Sequence, residues 1–369
     1  RFTFDGPSQD LYDRLKYTDR SQFDFICCSL RKSNPKMVRN IESLGIPHYY
    51  LKMGSLADFS IIPPLVRFIK KHQFDIVHTL LPRADWYGRI SGRIAGVKNI
   101  ISSIVNIHPL MYTGEYGRFF GSLFNLIDTI TLPFATKLVV NSTQLKEFYL
   151  KNGINPKKIE VIHSGIDPDQ CKKQIDRNVF RCELGINENQ IVIGTITLFK
   201  KQKGYPFLID AAKILVKKHL DLRFIFVGGG PWKDKLQKII NFHKLQEVIT
   251  LLDFQKDLQK IYSALDIFVL PSLWEGFPRV LLGAMLMNLP CVATDVGGIK
   301  EAVIHGKTGL IVPPASSQPL VEAIETLILS PQMREKMGKA GRRQVLQKFT
   351  AQIMAKKYTD IYKGLMENQ

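Results

Sequence analysis

The residues best suited to chemistry lie in the second half of the chain, where one carboxylate stands among glycine and proline. Residues 270–285 read Leu-Pro-Ser-Leu-Trp-Glu-Gly-Phe-Pro-Arg-Val-Leu-Leu-Gly-Ala-Met. This pattern predicts the end of a buried strand, a loop carrying Glu275, and a helix that begins near Pro278. The free N–H groups at the start of such a helix suit phosphate, and a carboxylate at Glu275 suits sugar hydroxyls. A capping role for Glu275 on the same helix fits the sequence equally well.

A second candidate for phosphate binding follows another predicted strand, at residues 194–204. Lys200, Lys201 and Lys203 lie just before Gly204 and a predicted helix. A lysine ammonium is a compact positive charge that suits a diphosphate. Because exposed lysines usually serve solubility, Lys203, beside the Gly204 turn, is the preferred candidate.

Two further loops contain consecutive glycines directly after predicted strands, at 227–231 and 296–298. The first includes Gly228 but lacks the G-x-G-x-x-G spacing of a dinucleotide fingerprint, which favours a tight turn with its backbone near a ligand. In an open parallel sheet, ligands bind beyond the carboxyl ends of the strands. Together the four loops predict a pocket for a nucleotide diphosphate.

The elements that must position these loops alternate between short apolar strands and amphipathic helices. Uninterrupted apolar strands suit parallel sheets that helices cover on both faces. The predicted fold class is therefore α/β, with two doubly wound Rossmann-like domains. Strands are predicted at 23–29, 48–51, 76–78, 99–103, 137–140, 159–162, 191–197, 223–227, 248–252, 267–270, 290–294 and 309–312.

The domain boundary is predicted after the Gly/Asp/Pro cluster at 163–168. Asp167 and Asp169 form a D-x-D pattern there, for which a turn is favoured over a metal site. At the amino terminus, residues 1–8 look like a strand end and loop that lead straight into a helix. We therefore expect the first, central strand of that sheet to be missing, which would leave an open slot between its neighbours.

The charge of the chain points to anionic partners. The formal net charge is +18 at pH 7 and is shared about equally between the two halves, so no basic tail accounts for it. This balance favours phosphorylated small molecules or an acidic membrane surface, and without nucleic-acid-binding motifs no nucleic acid is expected. The five cysteines lack metal-ligand spacing, which indicates a reducing compartment. With no signal peptide or bilayer-spanning apolar run predicted, we expect a soluble or peripheral protein.

Several motifs together resemble the large E-x7-E family of retaining glycosyltransferases with the GT-B fold, the glycosyl transferases group 1. The resemblance runs from about residue 5 to the end of the chain and is strongest over 159–315. The motifs lie at 75–78, 137–142, 161–167, 203–204, 227–231, 264–272, 275–278, 296–298 and 306–310.

The resemblance implies an acceptor-binding domain at 1–167, a nucleotide-sugar-binding domain at 168–348, and a helix at 349–369 that crosses back to the first domain. The two domains would face each other across a cleft. The implied reaction moves a sugar from a UDP-, GDP- or ADP-sugar to a glycan or lipid-linked acceptor, with retention of configuration and without a bound metal or other cofactor. The expected setting is polysaccharide or lipopolysaccharide biosynthesis in the cytoplasm, at the inner face of the membrane.

The same resemblance implies roles for single residues. Lys203 would contact the diphosphate and Glu275 the donor-sugar hydroxyls, while His108 is either a cleft histidine or a structural loop residue. Positive side chains and backbone N–H groups would stabilise the departing diphosphate. The residues expected to line the donor are Gly6, Gly204, Gly228, Gly276, Phe277, Pro278 and Val280.

Two positions depart from the family pattern. The second glutamate of the E-x7-E motif, which would clamp the ribose, is Gly283 in this chain, and the position of a diphosphate-binding arginine is Leu198. Each lost charge-assisted contact costs roughly 1.5–3 kcal/mol. A catalytically weakened, donor-binding homologue with a non-catalytic role is therefore the alternative function, and a sugar-nucleotide epimerase is a third.

The apolar segment at 116–127 is the candidate for contact with a membrane. It carries Arg118 near its start and otherwise consists mainly of aromatic and aliphatic residues. Such a helix can lie on an anionic bilayer surface. Packing inside the first domain fits the same sequence equally well.

Overall fold

The computed structural model describes residues 1–3, 5–55, 58–106, 108–171, 176–255 and 257–367, with the side chains at 108–116 and 118 outside this description. Two compact units form, Arg1–Gly165 with Ala351–Gln369, and Ile166–Thr350. The helices are α1 (Gly6–Tyr17), α2 (Pro35–Glu42), α3 (Ile62–His72), α4 (Pro82–Ala95), α5 (His108–Thr131), α6 (Thr143–Lys151), α7 (Arg177–Glu183), α8 (Tyr205–Lys218), α9 (Lys233–Phe242), α10 (Leu258–Ala264), α11 (Arg279–Leu286), α12 (Ile299–Ala302), α13 (Gln318–Leu329), α14 (Pro331–Lys348) and α15 (Ala351–Glu367). The strands are β1 (Cys27–Ser29), β2 (His48–Tyr50), β3 (Ile76–Leu80), β4 (Asn99–Ile104), β5 (Lys137–Val140), β6 (Ile159–Val161), β7 (Ile191–Ile196), β8 (Leu222–Val227), β9 (Ile249–Leu252), β10 (Ile267–Leu270), β11 (Cys291–Thr294) and β12 (Gly309–Val312).

The first unit contains two parallel sheets. In one, β1 pairs with β2, and in the other β3, β4, β5 and β6 pair in chain order. Within the described ranges, no strand pairing joins the two-stranded sheet to the four-stranded one. Every residue of β4 is buried, as expected for a strand that has neighbours on both sides and helices on both faces.

The C-terminal helix α15 is fastened to the first unit by a buried polar cluster. Tyr362 is hydrogen-bonded to Nδ1 of His78 at 2.9 Å, and Nε2 of the same ring lies 2.7 Å from Oγ of Ser103. The guanidinium of Arg14 lies 4.4 Å from the ring centre of Tyr358. Burial, with a smaller effect of the Arg14 charge, lowers the pKa of His78 well below its usual value. The ring is therefore neutral at pH 7 and joins α15 to the sheet by hydrogen bonds.

Helix α5 changes direction at Gly117, where φ is 76°, and beyond this kink one of its faces packs on α4. Phe124 and Trp86 are both buried, with their ring centres 5.1 Å apart. On the same side Arg89, whose side chain is fully buried, donates a hydrogen bond of 2.8 Å to Asp128. An aromatic contact and a buried ion pair thus hold this face of α5 in place.

The second unit is built on one six-stranded parallel sheet with the order β12-β11-β10-β7-β8-β9. The chain leaves β7 toward β8 and returns on the other side at β10, so a topological switch point lies at β7 and β10. Buried side chains from α8 and α13 cover one face of the sheet, and side chains from α10 and α11 cover the other. The predicted α/β fold with Rossmann-like units is confirmed.

The boundaries of two predicted elements were wrong. The strand expected at 23–29 pairs only over β1, and the helix expected after residue 8 already begins at Gly6. The early start has a local cause, because the side chain of Asp5 accepts the backbone N–H of Ser8 at 3.0 Å and Pro7 occupies the first turn.

We expect that replacing Asp128 by alanine lowers the free energy of unfolding of the first unit by about 3 kcal/mol, because Arg89 would then remain buried without its closest carboxylate. Urea denaturation followed by tryptophan fluorescence measures this change, in a background where Trp232 and Trp274 are replaced by phenylalanine so that Trp86 alone reports. The control is Glu335→Gln, which removes an exposed ion pair with Lys339 on α14 and should leave the midpoint unchanged. Equal effects of the two variants would contradict the anchoring role of the Arg89–Asp128 pair.

Candidate functional site

The four glycine-bearing loops predicted from the sequence all lie at one edge of the sheet of the second unit. They follow β8, β7, β10 and β11, which are consecutive neighbours in this sheet. Because the strands are parallel, their carboxyl ends lie side by side. The loops therefore form one continuous surface beside the switch point.

Hydrogen bonds connect each of these loops to the next. The N–H of Phe199 donates to the carbonyl of Gly229 at 2.8 Å, which joins the loop after β7 to the loop after β8. The N–H of Leu273 donates to the carbonyl of Gln202 at 2.7 Å, which joins the loops after β10 and β7. The N–H of Gly298 donates to the carbonyl of Gly276 at 2.6 Å. All four loops are thus linked through their backbones.

Two glycines in these loops occupy positions that no other residue fits. Gly204 has φ of 61°, and a Cβ atom there would lie 1.9 Å from the carbonyl oxygen of Pro271. Gly297 has φ of 58°, and a Cβ atom would lie 2.2 Å from the carbonyl oxygen of Glu275. Both the left-handed backbone and the close approach require glycine. The loops after β7, β10 and β11 can approach each other because these two residues lack side chains. Gly228 allows the same between the loops after β8 and β7, since a Cβ atom there would lie 1.9 Å from the carbonyl oxygen of Thr197.

Lys203 and Glu275 meet at the centre of this surface. The ammonium of Lys203 donates to Oε1 of Glu275, and the same oxygen accepts the hydroxyl of Ser272 at 2.6 Å. The two charged side chains are 14% and 8% exposed, so the ion pair is largely shielded from water. Thr294 donates to the carbonyl of Ser272 at 2.5 Å and so holds the loop that carries Glu275. The hydrogen bonds of the carboxylate thus go to Lys203 and Ser272, and capping of α11 is not its role.

The residues that follow Glu275 have defined places. Phe277 is buried, with its ring centre 5.3 Å from that of Phe349. The sequence predicted that the helix begins near Pro278; in the structure Pro278 is the N-cap residue and α11 begins at Arg279. Pro278 has no N–H group, so only its neighbours can offer amides. The carbonyl of Val280 accepts the hydroxyl of Tyr262 at 2.9 Å.

The remaining predicted site residues are divided between the two units. Gly228 lies in the loop after β8, on the same edge of the sheet as Lys203 and Glu275, whereas Gly6 begins α1 of the first unit. His108 begins α5, and its side chain lies outside the described residues. Asp167 accepts the backbone N–H of Asp169 at 3.0 Å, which is the geometry of a turn. Among the described residues, no group of three or more His, Cys, Asp or Glu side chains could hold a metal ion.

The two departures from the family pattern have different surroundings. Leu198 is exposed in the loop after β7. Gly283 is buried in α11, and a Cβ atom there would lie 2.7 Å from the hydroxyl of Tyr262. Tyr262 is itself buried and bound to the carbonyl of Val280, so it cannot easily make room for a side chain at Gly283.

Three functional neighbours were not predicted from the sequence. Ser272 and Thr294 support the loop of Glu275, and Gln202 donates from its side chain to the carbonyl of Trp274 at 2.8 Å. Ser272 lies three residues before Glu275 in a proline-bearing loop, and that spacing was the available signal. The other two act across different loops, which no local pattern reveals.

Models of two protein families match the chain. Residues 176–344 match the model described as Glycosyl transferases group 1, and residues 11–170 match the model described as Glycosyltransferase Family 4. The first match contains the whole Lys203 and Glu275 site. The second covers most of the first unit and the first five residues of the second unit.

Two relatives span most of the chain. It is 24% identical over 357 residues to the UDP-Gal:alpha-D-GlcNAc-diphosphoundecaprenol alpha-1,3-galactosyltransferase of Escherichia coli, covering 94% of this chain and 91% of that protein. It is 26% identical over 314 residues to the capsular polysaccharide biosynthesis glycosyltransferase CapM of Staphylococcus aureus, covering 84% and 81%.

Solved structures share the fold of this chain. The structure of Alr3699/HepE from Anabaena in complex with UDP-glucose superposes with a TM-score of 0.85, at 22% identity, over 99% of this chain and 97% of that one. At this level of identity the similarity concerns the fold.

We expect Gly204→Ala to lower the free energy of unfolding of the second unit by about 1–3 kcal/mol, because alanine cannot adopt this backbone without strain and its methyl group would collide with Pro271. Urea denaturation measures the loss. The matched control is Gly229→Ala, since Gly229 has no atom within 4 Å of an added Cβ and should tolerate alanine. A neutral Gly204→Ala would mean that the loops do not need this close contact.

Proposed function

We propose that the chain belongs to the glycosyl transferases group 1, and that it transfers a sugar from a nucleotide-diphosphate donor to a glycan or lipid-linked acceptor, with retention of configuration. The observation that carries the proposal is the pairing of Lys203 with Glu275 at the carboxyl edge of the second sheet. That edge is where parallel α/β sheets bind ligands. One side chain suits a diphosphate and the other suits hydroxyl groups, so together they fit a nucleotide sugar.

In this proposal Lys203 stabilises the departing diphosphate. Negative charge grows on the leaving oxygen as the bond to the sugar breaks, and a fixed ammonium in a shielded site lowers the energy of that state. In the same proposal, the loops that carry Gly204 and Gly276 bring their backbone close to the diphosphate. Because Lys203 and these loops provide the positive field, the proposal requires no bound metal.

Glu275 has the role of holding the donor sugar. A carboxylate accepts two or more hydroxyl hydrogen bonds, and Ser272 fixes its orientation through a hydrogen bond of 2.6 Å. The backbone at Gly276, Phe277 and Val280 continues from Glu275 into the first turn of α11, and the positive end of the helix dipole there suits phosphate oxygens. The roles predicted for His108 and Gly6, which lie in the first unit, stay predictions.

The nature of the donor and acceptor follows from the relatives. The relative from Escherichia coli is named for a UDP-sugar donor and a diphosphoundecaprenol acceptor, and the Anabaena structure contains UDP-glucose. We therefore put UDP-sugars ahead of GDP- and ADP-sugars for this chain. Surface polysaccharide or lipopolysaccharide synthesis is the pathway class that fits a lipid-linked acceptor.

A cytoplasmic location belongs to the same proposal. All five cysteines are free, and Cys27 and Cys291 are buried thiols. Unpaired cysteines are typical of a reducing compartment. Peripheral contact with the inner membrane surface is a separate proposal that rests on α5.

A second candidate function is that of a donor-binding homologue with weakened or no catalysis. The observation that favours it is Gly283, where the hydroxyl of Tyr262 occupies the space a side chain would need. No carboxylate can reach the ribose from this position. Leu198 likewise offers no charge to a diphosphate.

A panel of UDP-, GDP- and ADP-sugars separates the two functions. We expect the wild-type chain to release the nucleoside diphosphate from at least one donor, and Glu275→Gln to slow this release by about 100-fold, equivalent to ~2.7 kcal/mol of transition-state stabilisation. The control Glu247→Gln changes an exposed carboxylate elsewhere in the second unit and should have no effect. Calorimetric binding of a donor with no turnover would instead support the second function.

We expect Lys203→Met to weaken UDP binding by roughly 10–100-fold, because one charge-assisted contact to the diphosphate is lost. UMP, which lacks the outer phosphate, should be affected much less, so the ratio of the two dissociation constants is the quantity to measure by calorimetry. Lys201→Met, in the same loop but exposed, is the control. An unchanged ratio would remove Lys203 from the diphosphate site.

A further inference from the structure

The outer face of α5, which we define as Phe119, Phe120, Leu123, Leu126 and Ile130, consists of apolar side chains that are exposed to solvent. Phe119 is 79% exposed and Ile130 is 60% exposed. Their spacing of three, four or seven residues places them along one side of the helix. Phe134, in the turn that follows α5, is exposed as well.

This exposure does not come from a helix that is loosely attached. The opposite side of α5 is held by the Phe124–Trp86 contact and the buried Arg89–Asp128 ion pair. The helix therefore has two apolar sides, one packed on α4 and one without a covering element among the described residues. Contiguous apolar surface of this kind marks an interaction site.

Few charged residues lie along the outer face of α5, and several lysines lie near its C-terminal end, where Lys137 is paired with Glu160. From Gly117 to Phe134 the sequence contains one carboxylate, Asp128, and that residue is buried on the other side of the helix. Beyond Phe134, Lys158 donates to the carbonyl of Ala135 at 3.1 Å, which places its ammonium next to the end of the apolar stripe.

Two exposed lysines lie near the same end. The carbonyl of Lys98 accepts the hydroxyl of Thr136 at 2.9 Å, and that of Lys157 accepts the ammonium of Lys137 at 2.8 Å. Helices that lie in the interface of an anionic bilayer typically have aromatic and aliphatic side chains flanked by lysines. A second copy of the chain would instead bring like charges together, since each copy carries +18.

We propose that the outer face of α5 rests on an anionic lipid bilayer, with Phe119, Leu126 and Ile130 entering the acyl boundary and Lys98 and Lys157 near the headgroups. No helix in the described ranges is long and apolar enough to cross a membrane. The inference does not depend on the proposed transfer reaction, because it uses residues outside the Lys203 and Glu275 site.

Vesicle sedimentation of the full chain tests the proposal without any substrate. We expect binding to phosphatidylcholine vesicles that contain phosphatidylglycerol, weaker binding to phosphatidylcholine alone, and weakening with added salt. The triple variant Phe119→Gln, Leu126→Gln, Ile130→Gln should lower the partition coefficient ~10-fold or more, because apolar area no longer leaves water. Its matched control replaces Leu220, Phe242 and Leu329 by glutamine, since these are comparably exposed apolar residues of the second unit.

The charge contribution is tested separately. Lys98→Gln with Lys157→Gln should reduce binding to the anionic vesicles by about fivefold per lysine, whereas Lys213→Gln with Lys217→Gln on α8 should not. Thermal melting of each variant confirms that the fold is intact. The proposal is overturned if the protein binds anionic vesicles no better than neutral vesicles, or if the triple variant binds anionic vesicles as well as the wild type does. It is also overturned if light scattering shows a dimer that the triple variant no longer forms.

Discussion

The close approach of backbones at the carboxyl edge of the second sheet is the constraint on which the candidate site depends. Gly204 lies against Pro271 and Gly297 lies against the carbonyl of Glu275, at distances that exclude a Cβ atom. These contacts bring the loops after β7, β10 and β11 within hydrogen-bonding distance. Lys203 and Glu275 then meet because their loops are already joined.

The sequence predicted the parts of this arrangement that depend on local pattern. Strand ends, glycine turns, Lys203 and Glu275 could all be identified, because apolar runs and turn residues are local signals and parallel strands place their carboxyl ends together. The support of Glu275 by Ser272 and Thr294 could not, since it depends on which strands are neighbours and how their loops cross. The length of β1 and the start of α1 were mispredicted for the same reason, as pairing and capping decided them.

Helix α5 shows a second structural feature that could not be predicted from the sequence, namely which of its sides is packed. Its apolar residues fit either a packed helix or a surface helix, and the structure contains both, on opposite sides of the same element. Pattern alone cannot separate these faces, because Phe124 and Phe120 are equally apolar. The buried pair of Arg89 and Asp128 decides the orientation, since a charge pair without access to water fixes which side points inward.

The contact between Gly283 and Tyr262 has a consequence for how this chain can change over evolutionary time. Because a side chain at 283 would meet the tyrosine hydroxyl at 2.7 Å, the two positions are not independent. We expect a larger residue at 283 to be tolerated more readily once position 262 has become smaller, so the order in which the two positions change matters. Epistasis of this kind couples a position in α11 to one in α10.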